Sequence, residues 1–400
     1  MHNYDVIVAG GGVMGTALTW YLSRMGRRVL LLERVDLCHG STGATDGYIT
    51  PHTKQPGYHL ELALESSKLY ETLREEIDSD IDIELDLHCG GLQVCEDQMQ
   101  WDLISGNKEK LSAGGLELYM LEIEEVRKIE PTVSPNMRGA MYSPTAGSVN
   151  PFRLTQAFAD HAQKMGAEIL IETGIDSLVF DGGRVAGVRS GDAVYYAGYV
   201  VNCCGAWGSE LAKMAGLDLP VSPKRGQIIV SEPTAPLLNT VMQTGLYPII
   251  KFKPERITDE RIFRLGLGFG IEQTRDGSIL IGGTRELVGF DRGNTLECIE
   301  AMAQTAQVYI PAIADLHFIR CFSGLRPYTP DGLPVMGRVT QMPGLVMCCG
   351  HEGDGIALAP ISGKLVAEEI VYGKTSFPIA PCAVERFRKP VLPGLKYAID

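Results

Sequence analysis

The chain opens with a strand, a glycine turn, a helix and a second strand in immediate succession. Residues 4–9 (YDVIVA) are apolar enough for a strand buried on both faces, and residues 10–15 (GGGVMG) interrupt it. A helix is expected from about Val13 to Met25, and residues 28–32 (RVLLL) then form another buried strand. Two parallel strands joined by a helix are a β-α-β unit, so this stretch commits the chain to a parallel sheet.

The glycines of this unit have the spacing Gly10-x-Gly12-x-x-Gly15, which is the fingerprint of a dinucleotide-binding turn. The first glycine permits the tight turn, the second lets the backbone approach a pyrophosphate, and the third lets helix and strand pack closely. Amides at the helix start, at Val13 and Met14, and the helix dipole then stabilise phosphate charge. We therefore predict a dinucleotide site here.

An acidic residue, Glu33, ends the second strand, roughly twenty residues after the glycines. Its carboxylate can accept hydrogen bonds from both ribose hydroxyls, and Arg34 is predicted to lie beside it at the nucleotide. A negative charge at this point disfavours a 2′-phosphate, which argues against NADP. The fingerprint alone does not distinguish FAD from NAD.

Bulk properties exclude several classes of partner. The formal net charge of −13 argues against nucleic acid or an anionic membrane surface as the main partner. No apolar run approaches the ~18 residues of a membrane span, and residues 1–5 lead into a strand without a signal segment, which predicts a cytoplasmic protein. The 10 cysteines form no CxxC pair and no zinc spacing, so we expect reduced thiols and no metal.

Patterns typical of alternating strands and helices occur at the start, middle and end of the chain, and two insertions have the short alternating pattern of antiparallel strands. The expected fold class is α/β (α+β with two domains): a Rossmann-like FAD/NAD(P)-binding domain with a second, mainly antiparallel-sheet substrate domain. The cofactor domain is expected to comprise residues 1–83, 147–217 and 321–400. The substrate domain is expected to comprise residues 84–146 and 218–320, with one helix near 295–308 in its second part.

Five later segments, taken in order, resemble the D-amino acid oxidase family of FAD enzymes. They are residues 40–49 (GSTGATDGYI), 205–207 (GAW), 324–327 (GLRP), 329–332 (TPDG) and 350–356 (GHEGDGI). Within this family the chain is most similar to glycine oxidase and to the FAD subunits of opine oxidase, hydroxyproline or proline dehydrogenase, and hydrogen cyanide synthase complexes. The resemblance implies FAD as the cofactor.

The resemblance also assigns residues to parts of the cofactor. It places Ser41 and Thr42 at the pyrophosphate, Thr45, Gly47 and Tyr48 beside the flavin ring, Ile175 at the adenine, and Gly205, Trp207, Gly350, Gly353, Asp354, Gly355 and Ile356 in the remaining FAD-binding loops. The last loop precedes the final helix, whose N-terminus would face the flavin edge where negative charge accumulates on reduction. That arrangement raises the electron affinity of the ring.

For the substrate, the resemblance singles out Arg326, which would hold a carboxylate through two parallel N–H···O bonds. The implied reaction is oxidation of the C–N bond of a small amino or imino acid, by hydride transfer from Cα to flavin N5, giving an imine. No acid–base residue is obligatory. Tyr48 and Tyr328 are either wall residues or hydroxyl contacts, and His351 is either a general base or a side chain that packs beside the cofactor.

Two departures from the family pattern refine these expectations. Some members attach FAD through a cysteine near the GLRP segment; Gly324 occupies that place here and Cys321 lies three residues earlier, so non-covalent FAD is expected. Gly270 falls where glycine oxidase has a substrate-contacting tyrosine, which puts glycine in doubt as the substrate. The GHEGDGI loop also leaves open an alternative, an FAD subunit that passes electrons to partner subunits, and a homo-oligomer is equally compatible. A nicotinamide dehydrogenase and a flavin-bearing scaffold without turnover are further alternatives.

Overall fold

The computed structural model describes residues 2–388; Met1 and residues 389–400, the end of the predicted cofactor domain, lie outside this range. The helices are α1 (Val13–Arg24), α2 (Tyr58–Glu76), α3 (Gln98–Ala113), α4 (Ile123–Ile129), α5 (Pro151–Lys164), α6 (Gly208–Met214), α7 (Tyr247–Phe252), α8 (Glu260–Leu265), α9 (Leu296–Tyr309) and α10 (Gly355–Tyr372).

The strands divide between two large sheets and one small ribbon. They are β1 (His2–Ala9), β2 (Val29–Leu32), β3 (Tyr48–Ile49), β4 (Gly91–Cys95), β5 (Tyr119–Glu122), β6 (Gly139–Ser143), β7 (Gly147–Ser148), β8 (Glu168–Leu170), β9 (Ser177–Asp181), β10 (Arg184–Ser190), β11 (Ala193–Asn202), β12 (Ser222–Ser231), β13 (Val241–Thr244), β14 (Gly270–Gln273), β15 (Ile279–Gly282), β16 (Phe318–Tyr328), β17 (Val335–Arg338) and β18 (Leu345–Cys349).

The first sheet has the order β17-β18-β11-β1-β2-β8, and the pairs from β18 to β8 are all parallel. Alternate residues of β1 enter different cores: Val6 and Val8 pack with α1, α5 and α10, whereas Ile7 and Ala9 pack with α6. Because both faces are covered, the strand is a continuous apolar run. The predicted Rossmann-like cofactor-binding fold is confirmed.

The second sheet has the order β16-β12-β15-β14-β13-β4-β6-β5 and is antiparallel except for the pair β4–β13. One face packs on α9 through Ile229, Ile271 and Ile281. The residues next to these in sequence, Ile228, Gly270 and Gly282, line a cavity on the opposite face. The two-residue alternation of a strand therefore gives this sheet one packed face and one largely glycine-lined face.

The substrate region contains more helix than expected. The single helix predicted between 218 and 320 is α9, but α7 and α8 also lie there, and α3 and α4 lie between 84 and 146. Six residues are too few for α7 or α8 to show a helical repeat. In the longer α3 only Gln100, Ile104 and Leu111 are buried, so its apolar stripe is weak. The cap was visible in sequence: the Asp97 side chain accepts from the Gln100 amide at 2.8 Å.

The predicted domain limits differ in one place from the division by sheet. Strand β16 belongs as a whole to the antiparallel sheet, because it pairs with β12 from Phe318 to Tyr328, whereas the predicted limit at 321 divides it. The other predicted limits stay a prediction. None of the helices formed by residues 2–388 combines the length and apolarity needed to cross a membrane.

Candidate active site

A cavity of about 2010 Å³, partly open to solvent, lies between the two sheets. It adjoins the carboxyl ends of β1, β2, β11 and β18, the edge where open parallel sheets bind ligands. This volume includes space that is open to solvent, and the wall of the cavity runs from the glycine turn before α1 to Gly270 and Arg326. Among residues 2–388, no group of three or more His, Cys, Asp or Glu side chains is arranged to hold a metal ion.

The glycine turn fits a pyrophosphate for the reasons that its spacing predicts. Gly10 has φ +113°, and a Cβ there would lie 2.6 Å from the Cys203 carbonyl oxygen. A Cβ on Gly15 would lie 1.9 Å from the Gly10 carbonyl oxygen, so this glycine is needed for helix packing and does not itself line the cavity. Gly12 caps α1 without a side-chain hydrogen bond. The Val13 amide donates to Thr42 Oγ1 at 3.1 Å, and Met14 lies next to it in the cavity wall, so the helix start adjoins the cavity together with the Thr42 hydroxyl.

Residues at one end of the cavity suit the adenosine half of a dinucleotide. The Glu33 carboxylate accepts from the Gly11 amide at 2.7 Å and from the Val35 amide at 2.9 Å, which fixes it at the strand end. The Arg34 guanidinium lies 4.4 Å from the centre of the Trp207 ring. Phe290, which the sequence did not indicate, stacks on that ring at 5.6 Å. Each Glu33 oxygen retains a lone pair for a further donor.

Most of the predicted site residues line this one cavity. They are Gly10, Gly12, Val13, Met14, Glu33, Arg34, Ser41, Thr42, Thr45, Tyr48, Ile175, Gly205, Trp207, Arg326, Gly350, His351, Gly353, Asp354, Gly355 and Ile356. Gly15, Gly47 and Tyr328 do not line it. Segments from the start, middle and end of the chain therefore converge as expected.

Gly47 and Tyr328 lie outside the cavity wall, and each packs against other parts of the protein. A Cβ on Gly47 would lie 2.0 Å from the Val149 carbonyl oxygen, so glycine is required for packing against that backbone and not against a flavin ring. The Gly47 amide donates to Glu272 Oε1 at 3.0 Å. The Tyr328 ring carries the Lys224 ammonium 3.6 Å from its centre, outside the cavity wall. Proximity in sequence to Tyr48 and Arg326 therefore does not bring Gly47 and Tyr328 into the cavity wall.

Arg326 lies on β16, and its side chain passes over the neighbouring strand β12 at Gly226, a position without a side chain. A Cβ on Gly226 of β12 would lie 2.1 Å from Arg326 Nη1, so only glycine leaves space for the guanidinium. Arg326 Nη1 donates to the Thr284 carbonyl at 2.8 Å. Within residues 2–388 no carboxylate lies within 4.0 Å of the guanidinium. Burial, and then repulsion by Arg285, lower the pKa of Arg326, so an anion near it would be stabilised.

A buried ionic network, which the sequence did not indicate, surrounds the last loop. Asp354 bonds Lys54 at 2.7 Å and Lys251 at 2.7 Å, and Glu352 pairs with Arg285. Burial raises the pKa of Asp354, but the two ammonium groups hold it well below its usual range. Arg285 and Lys251 likewise outweigh burial and lower the pKa of Glu352 to about 2. These carboxylates are therefore ionised and fix three cations around the cavity.

His351 is buried beside the cavity at 3% exposure, and its Nε2 shares a hydrogen bond of 3.0 Å with Ser362 Oγ. Burial lowers the pKa of His351 to about 3, so the imidazole is neutral. An efficient general base has a pKa near the working pH. The geometry favours the packing interpretation of this residue over the catalytic one.

Two further carboxyl groups, Asp46 and Glu272, lie at or beside the cavity. Asp46 lines the cavity, whereas Glu272 on β14 is 7% exposed and lies behind the Gly47 amide. Burial, and then the charge of Asp46, raise the pKa of Glu272 to about 8. Burial also raises the pKa of Asp46, against the effect of the cations Arg326, Arg285 and Lys54. Neither carboxyl group was assigned a role from the sequence.

The fold and the cavity define a dinucleotide-dependent oxidoreductase with an antiparallel sheet facing the cofactor site. The chain belongs to the FAD dependent oxidoreductase (DAO) family, whose model matches residues 5–369. This membership confirms the predicted family and FAD as the cofactor. The glycine turn and the start of α1, which adjoin the cavity, fit its pyrophosphate.

Individual relatives are similar to this chain over nearly its whole length. Hydrogen cyanide synthase subunit HcnC of Pseudomonas aeruginosa is 30% identical, covering 96% of each chain. The crystal structure of glycine oxidase from Geobacillus kaustophilus matches with a TM-score of 0.86 and 28% identity, covering 96% of this chain and 99% of that one. L-proline dehydrogenase from P. horikoshii matches with a TM-score of 0.85 and 25% identity, covering 97% and 98%.

Proposed function

We propose that the protein oxidises the C–N bond of a small amino or imino acid to an imine. The observation that carries this proposal is Arg326, a half-buried guanidinium that lines the cavity and donates a hydrogen bond to the Thr284 carbonyl. A planar guanidinium suits a substrate carboxylate, which accepts two parallel N–H···O bonds. FAD, when bound, supplies the acceptor for the two electrons that leave Cα with its hydrogen.

The residues proposed to hold FAD fall into three groups. Gly10, Gly12, Val13, Met14, Ser41 and Thr42 would contact the pyrophosphate; Glu33, Arg34, Ile175, Gly205 and Trp207 the adenosine; and Thr45, Tyr48, Gly350, Gly353, Asp354, Gly355 and Ile356 the flavin. The N-terminus of α10 lies in the third group. Its dipole would favour negative charge on the nearby part of the cofactor.

The chain's own residues would select and orient the substrate. Arg326 would fix the carboxylate, so that Cα and the nitrogen take one orientation in the cavity. Tyr48 would form part of the wall opposite. Gly270 also lines the cavity, and a Cβ there would lie 3.3 Å from Tyr48 Oη, so a side chain at 270 would occupy the space in front of this tyrosine. The glycine supports a substrate larger than glycine itself.

Substitution of Arg326 tests this function. Arg326→Ala should retain FAD, as judged by the ratio of flavin to protein absorbance, but should lose roughly two orders of magnitude in kcat/KM, since two charge-assisted hydrogen bonds are worth about 3 kcal/mol. Candidate substrates are D-amino acids, N-methylglycine, both prolines and opines, screened by anaerobic bleaching of the flavin. Arg320→Ala, on the exposed part of the same strand, is the matched control. An unchanged kcat/KM in Arg326→Ala would refute the assignment.

A second candidate function is that of an electron-transferring subunit in a larger complex. It is supported by the similarity to a hydrogen cyanide synthase subunit and by the exposed segment between β15 and α9. Leu287 and Phe290 in this segment are 70% and 43% exposed, and Leu296 at the start of α9 is 71% exposed. Assays of the purified chain separate the two candidates. A free-standing oxidase should form peroxide at the rate of substrate oxidation, whereas a subunit should reduce an artificial dye and form little peroxide.

A further inference from the structure

Asp46 and Arg326 present opposite charges to the same cavity without pairing with each other. Both side chains line the cavity, and no N–O distance of 4.0 Å or less joins them within residues 2–388. Arg326 is nevertheless the charged group with the largest influence on the pKa of Asp46 after burial, which it lowers. The two groups thus face one cavity, but are separated by more than an ion-pair distance. An α-amino acid carries the complementary pair of charges on two groups that are bonded to the same carbon, Cα.

Asp46 and Glu272 influence each other's titration, and of these two carboxyl groups Asp46 is the one that carries the negative charge. Glu272 is 7% exposed, and its carboxyl group accepts a hydrogen bond from the Gly47 amide. Asp46 instead faces three cations, Arg326 from β16, Arg285 after β15, and Lys54. Since burial disfavours a charge that has no cationic partner, the pair keeps its proton on Glu272 and its negative charge on Asp46, the member that reaches the cavity.

We infer that Asp46 binds the amino group of the substrate and accepts its proton. This inference rests on the proposed function. An N–H bond of the ammonium breaks and its proton passes to an Asp46 carboxylate oxygen. The freed nitrogen lone pair becomes the second bond of C=N, as the Cα–H bond breaks and its hydrogen leaves with two electrons to the bound flavin. Arg326 and Asp46 together would then fix both ends of the zwitterion, so that one face of Cα is presented for oxidation.

A purely structural role for Asp46 leads to different expectations. If Asp46 only balanced the charges of Arg326, Arg285 and Lys54, its removal would increase the affinity for every carboxylate equally, whether or not the ligand carries nitrogen. A group that contacts the nitrogen should instead discriminate between two ligands of the same shape. The preference for the nitrogen-bearing ligand is therefore the decisive quantity.

The experiment compares matched ligands with the FAD-loaded protein under anaerobic conditions. The pairs are alanine and propionate, and proline and cyclopentanecarboxylate, with both enantiomers of each amino acid and binding measured by calorimetry at pH 7. In the wild type we expect the nitrogen-bearing member of at least one pair to bind more tightly. In Asp46→Asn this preference should fall by about tenfold or more, the size of a lost charge-assisted hydrogen bond, while the nitrogen-free acid binds as well or better. Asp36→Asn, an exposed carboxylate before the same loop, is the control.

The pH dependence gives a second readout for whichever amino acid bleaches the flavin. In the wild type, kcat/KM should rise as Asp46 ionises and then level off. In Asp46→Asn it should climb tenfold per pH unit up to the pKa of the free amine, because only the deprotonated substrate reacts. An unchanged ligand preference in Asp46→Asn overturns the inference while leaving the proposed function intact. Failure of the wild type to bind any member of either pair also overturns the inference, and failure of every candidate amino and imino acid to bleach the flavin overturns the proposed function as well.

Discussion

Replacing Glu272 by glutamine should stabilise the protein at neutral pH and have little effect in acid. Glu272 is 7% exposed on β14, and burial followed by the charge of Asp46 raises its pKa from 4.5 to about 8. Glutamine has nearly the shape of the protonated acid and retains the oxygen that accepts the Gly47 amide at 3.0 Å. The substitution therefore removes the titration and keeps the hydrogen bond.

The magnitude follows from the linkage between protons and folding. Between pH 4.5 and about 8 the carboxyl group is ionised in the unfolded chain and protonated in the folded one, so the folded state loses stability as the pH rises. Each pH unit in this window contributes 1.36 kcal/mol, which amounts to about 3 kcal/mol at pH 7 and about 5 kcal/mol above pH 8. At pH 5 the difference is below about 1 kcal/mol.

Urea unfolding of the wild type, Glu272→Gln and a control, Glu300→Gln on the exposed side of α9, checks this at pH 5, 7 and 8.5. The free energy of unfolding of Glu272→Gln should exceed that of the wild type by an amount that grows with pH, whereas the control should follow the wild type. A gain of the same size at all three pH values would refute the reasoning, because packing alone would then explain it. A loss of stability at pH 7 would show that the carboxylate is ionised and paired in the folded state.

Three other outcomes are expected. Asp354→Asn should lower the free energy of unfolding by about 3–5 kcal/mol, since it leaves two buried ammonium groups, Lys54 and Lys251, without their shared partner; chemical denaturation checks this. Gly12→Val should give a folded but flavin-free protein, since a Cβ there already lies 3.0 Å from Thr42 Oγ1; far-UV circular dichroism and the flavin-to-protein absorbance ratio separate the two effects. Acid precipitation of the holoprotein should release all flavin into the supernatant, in the wild type and in Cys321→Ser alike, because Cys321 does not line the cavity; yellow precipitate in the wild type alone would refute this.

The sequence predicted those parts of the site that depend on local spacing. The glycine turn before α1 and Glu33 at the end of β2 are set by a β-α-β unit that is complete within a short stretch of chain. The loop at 350–356 was found because an entire run of residues resembles one family. In each case the neighbouring residues along the chain supply most of the information.

The residues that the sequence missed depend on contacts between distant segments. Lys54, Lys251 and Arg285 stand in unremarkable surroundings, and only the pairing of the strands brings them to Glu352 and Asp354. The same holds for the carboxyl pair: Gly47, beside Asp46, and its partner Glu272 are 225 positions apart. A single charged residue carries no periodic signal, so its burial cannot be predicted before the topology is known.

The balance of charge around the cavity shows why these missed residues matter for binding. Four cations, Lys54, Lys251, Arg285 and Arg326, surround two carboxylates that are firmly ionised, Glu352 and Asp354. The whole chain carries −13, which would repel an acid, but charges more than about 8 Å away are largely screened in physiological salt. A substrate therefore responds to the local excess of positive charge. If Asp46 limits this excess as we infer, an acid that also brings a cationic nitrogen should be favoured over a simple carboxylate.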